Sequence, residues 1–257
     1  MLVDYHIHAA AHGEYKYSHE WINQFLDQAF QRGLKEIGFS EHDEYINLVD
    51  SELFIKLQTA RRNDINIKLG IEVDYIPGRE EEIKVIIQEK QYDYVIGSVH
   101  YIDGWGFDNP SFKEGFSQRD IDEVYDQYAN ILLKMVQSGC FDVVGHIDLV
   151  KIWGHRPLKR NSLYYLEPVL KAIKKYGLAV EINSAGLRKT VSELYPAFDL
   201  VNRMFEYSIP ITFGSDAHHP EQIGEGLNEA YRSAWKAGYR YLVRLNQRGK
   251  IVTPLEY

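Results

Sequence analysis

The sequence predicts an α/β chain of seven strand–helix units, which favour a closed parallel barrel over an open sheet. Two observations carry this. Short β-branched runs alternate throughout with longer stretches of helical periodicity, the pattern of βαβ units and a parallel sheet. The 257 residues also contain no Pro/Gly/Ser linker, low-complexity tract or composition shift that would mark a boundary, so a single domain over 1–257 is expected.

Strands are expected near Leu2–His6, Glu36–Ser40, Ile67–Val73, Tyr94–Val99, Phe141–His146, Leu178–Ile182 and Pro210–Phe213. Helices are expected over Glu20–Arg32, Glu52–Asn63, Glu80–Lys90, Arg119–Ser138, Leu163–Lys175, Phe198–Glu206 and Gln222–Lys236. In the first helix, Ser18 stands where a cap would, and Trp21, Ile22, Phe25, Leu26 and Ala29 form one apolar stripe. Gly33, Gly139, Gly177 and Gly238 follow helices where a left-handed stop is wanted. The longest irregular stretch, Tyr101–Gln118, carries Trp105, Phe107, Pro110, Phe112 and Phe116 and suggests a lid or an interface patch.

Composition excludes several classes of function. With 45% apolar and 26% charged residues the chain is an ordinary globular protein. A formal charge of −8 argues against binding long nucleic acid or anionic membrane, and no apolar run is long enough to span a bilayer. The N-terminus has no basic, then apolar, leader, and one cysteine, Cys140, fits a reducing cytosol, so a cytoplasmic location is expected.

The ten histidines matter through their positions. The first strand ends in Asp4-Tyr5-His6-Ile7-His8, followed by His12. The second ends in Ser40-Glu41-His42, the third in Glu72-Val73-Asp74 and the fourth in Ser98-Val99-His100. The last three end in Gly145-His146-Ile147-Asp148, Glu181-Ile182-Asn183 and Gly214-Ser215-Asp216-Ala217-His218. In a parallel barrel these ends converge on one face. The period of two in His6-x-His8 sends both imidazoles to one side, where both can reach one ion. A carboxylate such as Glu72 can bridge two cations, and mixed imidazole–carboxylate ligation suits Zn, Fe, Mn or Co. Any one of these residues alone would read as an ordinary polar side chain; their placement at successive strand ends is what points to metal. His19 and His219 are expected to be structural or solvent-facing, and His155 stays undecided.

These same motifs, in this order from residue 2 to about 226, resemble those of the PHP (polymerase and histidinol phosphatase) superfamily. Gly145-His146-Ile147-Asp148-Leu149 and Glu181-Ile182-Asn183-Ser184-Ala185-Gly186-Leu187-Arg188-Lys189 are similar to its histidinol-phosphatase branch. The resemblance implies a distorted (β/α)7 TIM-like barrel with two or three divalent metal ions. It implies one ion on His6, His8, Glu72 and Asp216, and a second on Glu72, His100 and His146. A third would take His42, His218 and a residue after His8, where the chain departs from the usual spacing. His12 is favoured there, and Glu14 is the alternative.

Such a pair of ions would supply hydroxide near neutral pH and offset charge on phosphoryl oxygens. No Gly-x-Ser-x-Gly or Walker sequence is present. Catalysis is expected to centre on Glu72, Asp216 and His218. Substrate is expected to meet Arg188, Arg160, Arg156 and Asn183, since a guanidinium fork matches phosphate. Trp105, Phe107, Trp153 and Asp103 are guesses for the leaving-group side. The implied function is phosphomonoester hydrolysis, with L-histidinol phosphate the implied substrate. The rivals are a PHP-type phosphodiesterase or exonuclease, a non-catalytic PHP metal-binding domain, and an amide hydrolase on a related barrel. A homo-oligomer is left open.

Overall fold

The structure is a computed structural model and describes residues 2–255; Met1, Glu256 and Tyr257 of the expected 1–257 domain lie outside the described residues. In chain order the regular elements are β1 (Val3–Asp4), α1 (His19–Gln31), β2 (Glu36–Phe39), α2 (Ser51–Arg61), β3 (Asn66–Asp74), α3 (Glu80–Ile86) and β4 (Tyr94–Ser98). A small hairpin, β5 (Tyr101–Ile102) and β6 (Trp105–Gly106), is followed by α4 (Ile121–Gln137), β7 (Val143–Val144), α5 (Ser162–Tyr176), β8 (Ala179–Asn183) and α6 (Phe198–Glu206). The chain ends with β9 (Ile211–Gly214), α7 (Leu227–Ala237), β10 (Tyr241–Asn246) and β11 (Gly249–Pro254).

Seven of these strands form one parallel sheet in the order β1-β2-β3-β4-β7-β8-β9. The sheet closes on itself. Tyr5 N donates to Phe213 O at 2.9 Å and His8 N to Ala217 O at 2.8 Å, so β1 meets β9. A buried carboxylate pins the same seam: Asp4 accepts from Ser215 N at 2.8 Å, Ser215 Oγ at 2.5 Å and Gly224 N at 2.9 Å. All seven expected strands are therefore present, as a TIM-like barrel whose parallel course brings every C-terminal strand end to one mouth.

Local chemistry explains the helix limits. Ser18 caps α1 through Trp21 N, and Asp50, Asp120 and Asn161 cap α2, α4 and α5. Ile22, Phe25, Leu26 and Ala29 are the buried face of α1. Helix α7 starts at Leu227, five residues later than expected, because Gly224 and Gly226 both take a left-handed φ and break the helix. Helix α3 stops at Ile86 rather than Lys90; Ile83, Val85, Ile86 and Ile87 make a β-branched run that propagates a helix poorly.

Inside the barrel, Tyr94 reaches across to donate to Tyr5 O at 2.6 Å. It fits because Gly38 and Gly70 are bare: a Cβ at either would lie 2.0–2.3 Å from its side chain. The hairpin β10–β11, which the sequence did not predict, lies against the opposite end from the mouth, with Leu245 N donating to Tyr5 Oη at 3.2 Å.

The Tyr101–Gln118 segment buries Trp105, Phe107 and Phe116 and leaves Tyr101 and Phe112 exposed. Phe107, Phe116 and Trp105 pack together, Trp105 Nε1 donates to Phe112 O at 3.0 Å, and Trp153 Nε1 donates to Phe107 O at 2.8 Å. The segment is a packed wall beside the mouth. No helix among the described residues is long and apolar enough to cross a membrane.

Candidate metal centre and active-site cavity

The mouth of the barrel holds a cluster built around Glu72, which is buried at the end of β3. His6 Nε2, His8 Nε2 and His42 Nδ1 lie 3.2, 3.3 and 3.1 Å from Glu72 Oε2. On the other carboxylate oxygen, His146 Nε2 lies at 3.1 Å and His100 Nε2 at 3.9 Å. Asp216 Oδ1 is 3.5 Å from His8 Nε2, 4.0 Å from His6 Nε2 and 3.6 Å from His218 Nδ1. The groups His6–His8–Glu72, Glu72–His100–His146 and His8–His42–His218 each place one donor atom per residue within 4.8 Å of the others. His12 stands beside the third group, its ring centroid 4.6 Å from His218 and 5.3 Å from His42.

The donor set suits divalent cations. Two ligands on bonds of ~2.1 Å at a tetrahedral angle sit about 3.4 Å apart, close to the spacings around Glu72 Oε2. His6 Nε2, both ring nitrogens of His8, Glu72 Oε2 and His218 Nε2 are buried with no hydrogen-bond partner, a costly state unless something binds them. At three of the imidazoles protonation is arranged the same way. Burial lowers His8 to about 4, His42 to about 3 and His218 to about 4, so all three are neutral with lone pairs available. Burial would push Glu72 and Asp216 up, but the imidazoles, His6 foremost, hold both well below the carboxylate range. His12 and Asp216 both stand at a positive φ, a conformation L-residues rarely take, which re-aims their side chains at the mouth.

A cavity of about 520 Å³ opens over this cluster, lined on one side by Tyr101, Asp108 and Phe112 and on the other by Arg188 and Tyr195. Arg188 is docked through Nη2 on Ser215 O at 2.7 Å and Asp216 O at 3.2 Å. Its Nη1 is buried without a partner. The other expected substrate contacts lie elsewhere. Arg156 is bound to Glu193 at 2.7 Å, and Arg160 lies exposed over Tyr164, both off the cavity wall. Asn183 is buried beneath the site, where it donates to Glu181 at 2.9 Å and accepts from Ala185 N at 2.8 Å. Trp105, Phe107, Trp153 and Asp103 do not line the cavity either, because the three aromatic rings are spent on packing the wall and Asp103 sits in the β5–β6 turn. His155 stacks on Phe116, His19 is exposed at the start of α1 and His219 meets Tyr15 Oη at 3.2 Å, all away from the cluster.

Sequence reasoning gave no role to three acidic groups here. Asp74 hydrogen-bonds His100 Nδ1. Glu181 hydrogen-bonds His6 Nδ1, and Asp108 faces the cavity. Asp74 and Glu181 were each two residues along a strand from a residue already singled out, Glu72 and Asn183, so the period of two places them on the same side. Asp108 lies in irregular chain, where no period applies.

Residues 4–185 match the PHP domain family and residues 205–233 the PHP-associated family. A probable histidinol-phosphatase of Deinococcus radiodurans is 34% identical over 252 residues, spanning 93% of this chain and 95% of that protein. The histidinol-phosphatase of Bacillus subtilis is 29% identical, spanning 86% of this chain and 95% of that one. A crystal structure of histidinol phosphate phosphatase from Lactococcus lactis, complexed with zinc, L-histidinol and phosphate, shares the fold with a TM-score of 0.80 at 24% identity, covering 97% of this chain and 98% of that one. By sequence, by topology and by the order of its strand-end motifs, this chain belongs to the PHP domain family.

Proposed function

We propose that the protein is a metal-dependent phosphomonoesterase that hydrolyses L-histidinol phosphate to L-histidinol and phosphate in histidine biosynthesis. The observation that carries this is one mouth holding both a multi-imidazole cluster around Glu72 and a half-buried arginine whose Nη1 is left without a partner. The 34% identity to a probable histidinol-phosphatase, over nearly all of both chains, supports the choice of substrate.

In this proposal His6, His8, Glu72 and Asp216 hold one ion, Glu72, His100 and His146 a second, and His42, His218 and His12 a third. Zinc, iron, manganese or cobalt would suit this set. Bound divalent ions supply charge offset on phosphoryl oxygens and acidify water for attack at phosphorus. The protein's part is positioning. Arg188 Nη1 donates to a phosphoryl oxygen, while its Nη2, held on Ser215 O and Asp216 O, keeps the fork from turning away. Asp108 and Tyr101 are placed to face the leaving-group side, where an ammonium or imidazolium would meet a carboxylate. Residues 1–257 act as one cytoplasmic domain on a small substrate, without nucleic acid.

Phosphate release by metal-replete protein, across a panel of phosphomonoesters and one diester, tests this. L-histidinol phosphate is expected to give the highest kcat/KM. Preference for the diester, or no release from any monoester, would overturn it.

A further inference from the structure

We propose that Glu181 is a positioning residue that fixes His6 as its Nδ1–H tautomer and tethers His146 through its backbone, so that both imidazoles present Nε2 to the cluster around Glu72. The proposal rests on the metal-binding part of the function above and not on the choice of substrate.

Glu181 lies on β8, behind the cluster, and is 1% exposed. Both of its oxygens meet His6 Nδ1, at 3.0 and 2.8 Å. Oε1 also accepts from His146 N at 2.8 Å and from Asn183 Nδ2 at 2.9 Å. His6 Nδ1 faces both oxygens of a carboxyl group whose Oε1 already accepts from His146 N and Asn183 Nδ2, so the proton between Glu181 and His6 is assigned to Nδ1. The lone pair of His6 is then on Nε2, which faces Glu72 Oε2 at 3.2 Å. One side chain thereby sets the tautomer of a residue after β1 and the position of a residue after β7, on strands that are not neighbours.

The fold keeps space for this contact. On the adjacent strand β9, a Cβ at Gly214 would lie 2.5 Å from His6 Cβ and 2.7 Å from Glu181 Oε2. A larger residue there would push the imidazole and carboxylate apart.

Glutamine is the informative replacement, because it matches the shape and reverses one edge. Its single carbonyl cannot serve His6, His146 N and Asn183 together, and its NH2 turns a donor toward one of them. His6 relieves that clash by moving its proton to Nε2, which removes its lone pair from the centre. Partners of this kind behind a metal ligand change metal affinity by about 10–100-fold.

The test uses zinc-loaded protein and imidazole 15N–1H correlation spectra, with zinc affinity from competition against a chelator. In the wild type, His6 is expected with Nδ1 protonated. Glu181→Gln is expected to lower zinc affinity about 10–100-fold with loss of that Nδ1–H signal. Glu181→Asp, acceptor-only but shorter, is expected to keep the signal with a smaller loss of affinity. Protonation of His6 at Nε2 in the wild type would overturn the proposal without any variant. So would wild-type zinc affinity in Glu181→Gln or, should that variant not fold, in Glu181→Asp. A wild-type protein that binds zinc with the expected tautomer yet releases no phosphate would remove the substrate assignment and leave this one standing.

Discussion

Both ends of this barrel bury charged groups, and they handle them in opposite ways. At the closed end, Glu36 is fully buried and its oxygens are engaged by Tyr5 Oη, by Asn66 Nδ2 at 2.5 Å and by Arg244 Nη2 at 2.5 Å. Lys68 finds Asn246 beside it. At the mouth, His6, His8, Glu72 and His218 each keep at least one buried polar atom with no hydrogen-bond partner. Since unpaired buried groups cost on the order of 1–3 kcal/mol each, the closed end is arranged for stability, and the mouth gives up stability for binding. Substitutions at the two ends should therefore move different observables.

The largest effect is expected at the mouth. Glu72→Gln removes the oxygen shared by three imidazoles, and kcat should fall by about 10³-fold or more, together with metal content, while the metal-free fold keeps its Tm. Kinetics paired with metal analysis checks this; near-normal turnover at full metal occupancy would end the bridging role.

At the closed end, Arg244→Met leaves the Glu36 carboxylate short of a charged donor. A loss of roughly 2–4 kcal/mol in urea unfolding is expected, with kcat unchanged once folded. A variant that lost activity but not stability would erase the contrast between the ends.

Arg188→Ala should cost roughly 1.5–3 kcal/mol of transition-state stabilisation, about 10–150-fold in kcat/KM on a monoester, with Lys restoring part of it. Equal, small losses on monoester and diester would mean that Arg188 does not read the phosphate.

The last effect is electrostatic and is confined to acidic pH. Burial puts His42 near 3 in the fold, against about 6.5 in the unfolded chain. As pH falls below 6.5 the unfolded chain takes up that proton first, so His42 costs metal-free protein up to about 1.4 kcal/mol per pH unit down to its folded value. Glu72 raises and His8 and His100 lower the His42 value, and all are retained in the comparison. Stability curves of chelator-treated wild type and His42→Gln should therefore converge toward pH 7 in one direction only, with the wild type losing more on acidification. Parallel curves would sharpen the picture by placing the unpaired charge elsewhere in the cluster.

The sequence made the contents of the mouth readable because strands impose a period of two and parallel strands share a direction. His6, His8, His42, Glu72, His100, His146, Asp216 and His218 could be assembled on paper for that reason, and the structure brings their side chains together. Arg156 and Arg160 were attractive only by nearness in sequence; their loop turns outward, so Arg156 pairs with Glu193. The hairpin β10–β11 escaped notice because its turn, Gln247-Arg248, takes two left-handed residues without the Asn-Gly pair that usually announces them. Asp108 was hidden for a different reason, since only tertiary packing of the aromatic wall brings it to the cavity.

The most direct test is a titration of zinc into chelator-treated protein, following phosphate release from L-histidinol phosphate against zinc bound per chain. The arrangement around Glu72 predicts no release from metal-free protein and the steepest rise at about two zinc per chain, when the two sites that would share Glu72 are filled. Full release without metal, or none at full occupancy, would contradict it.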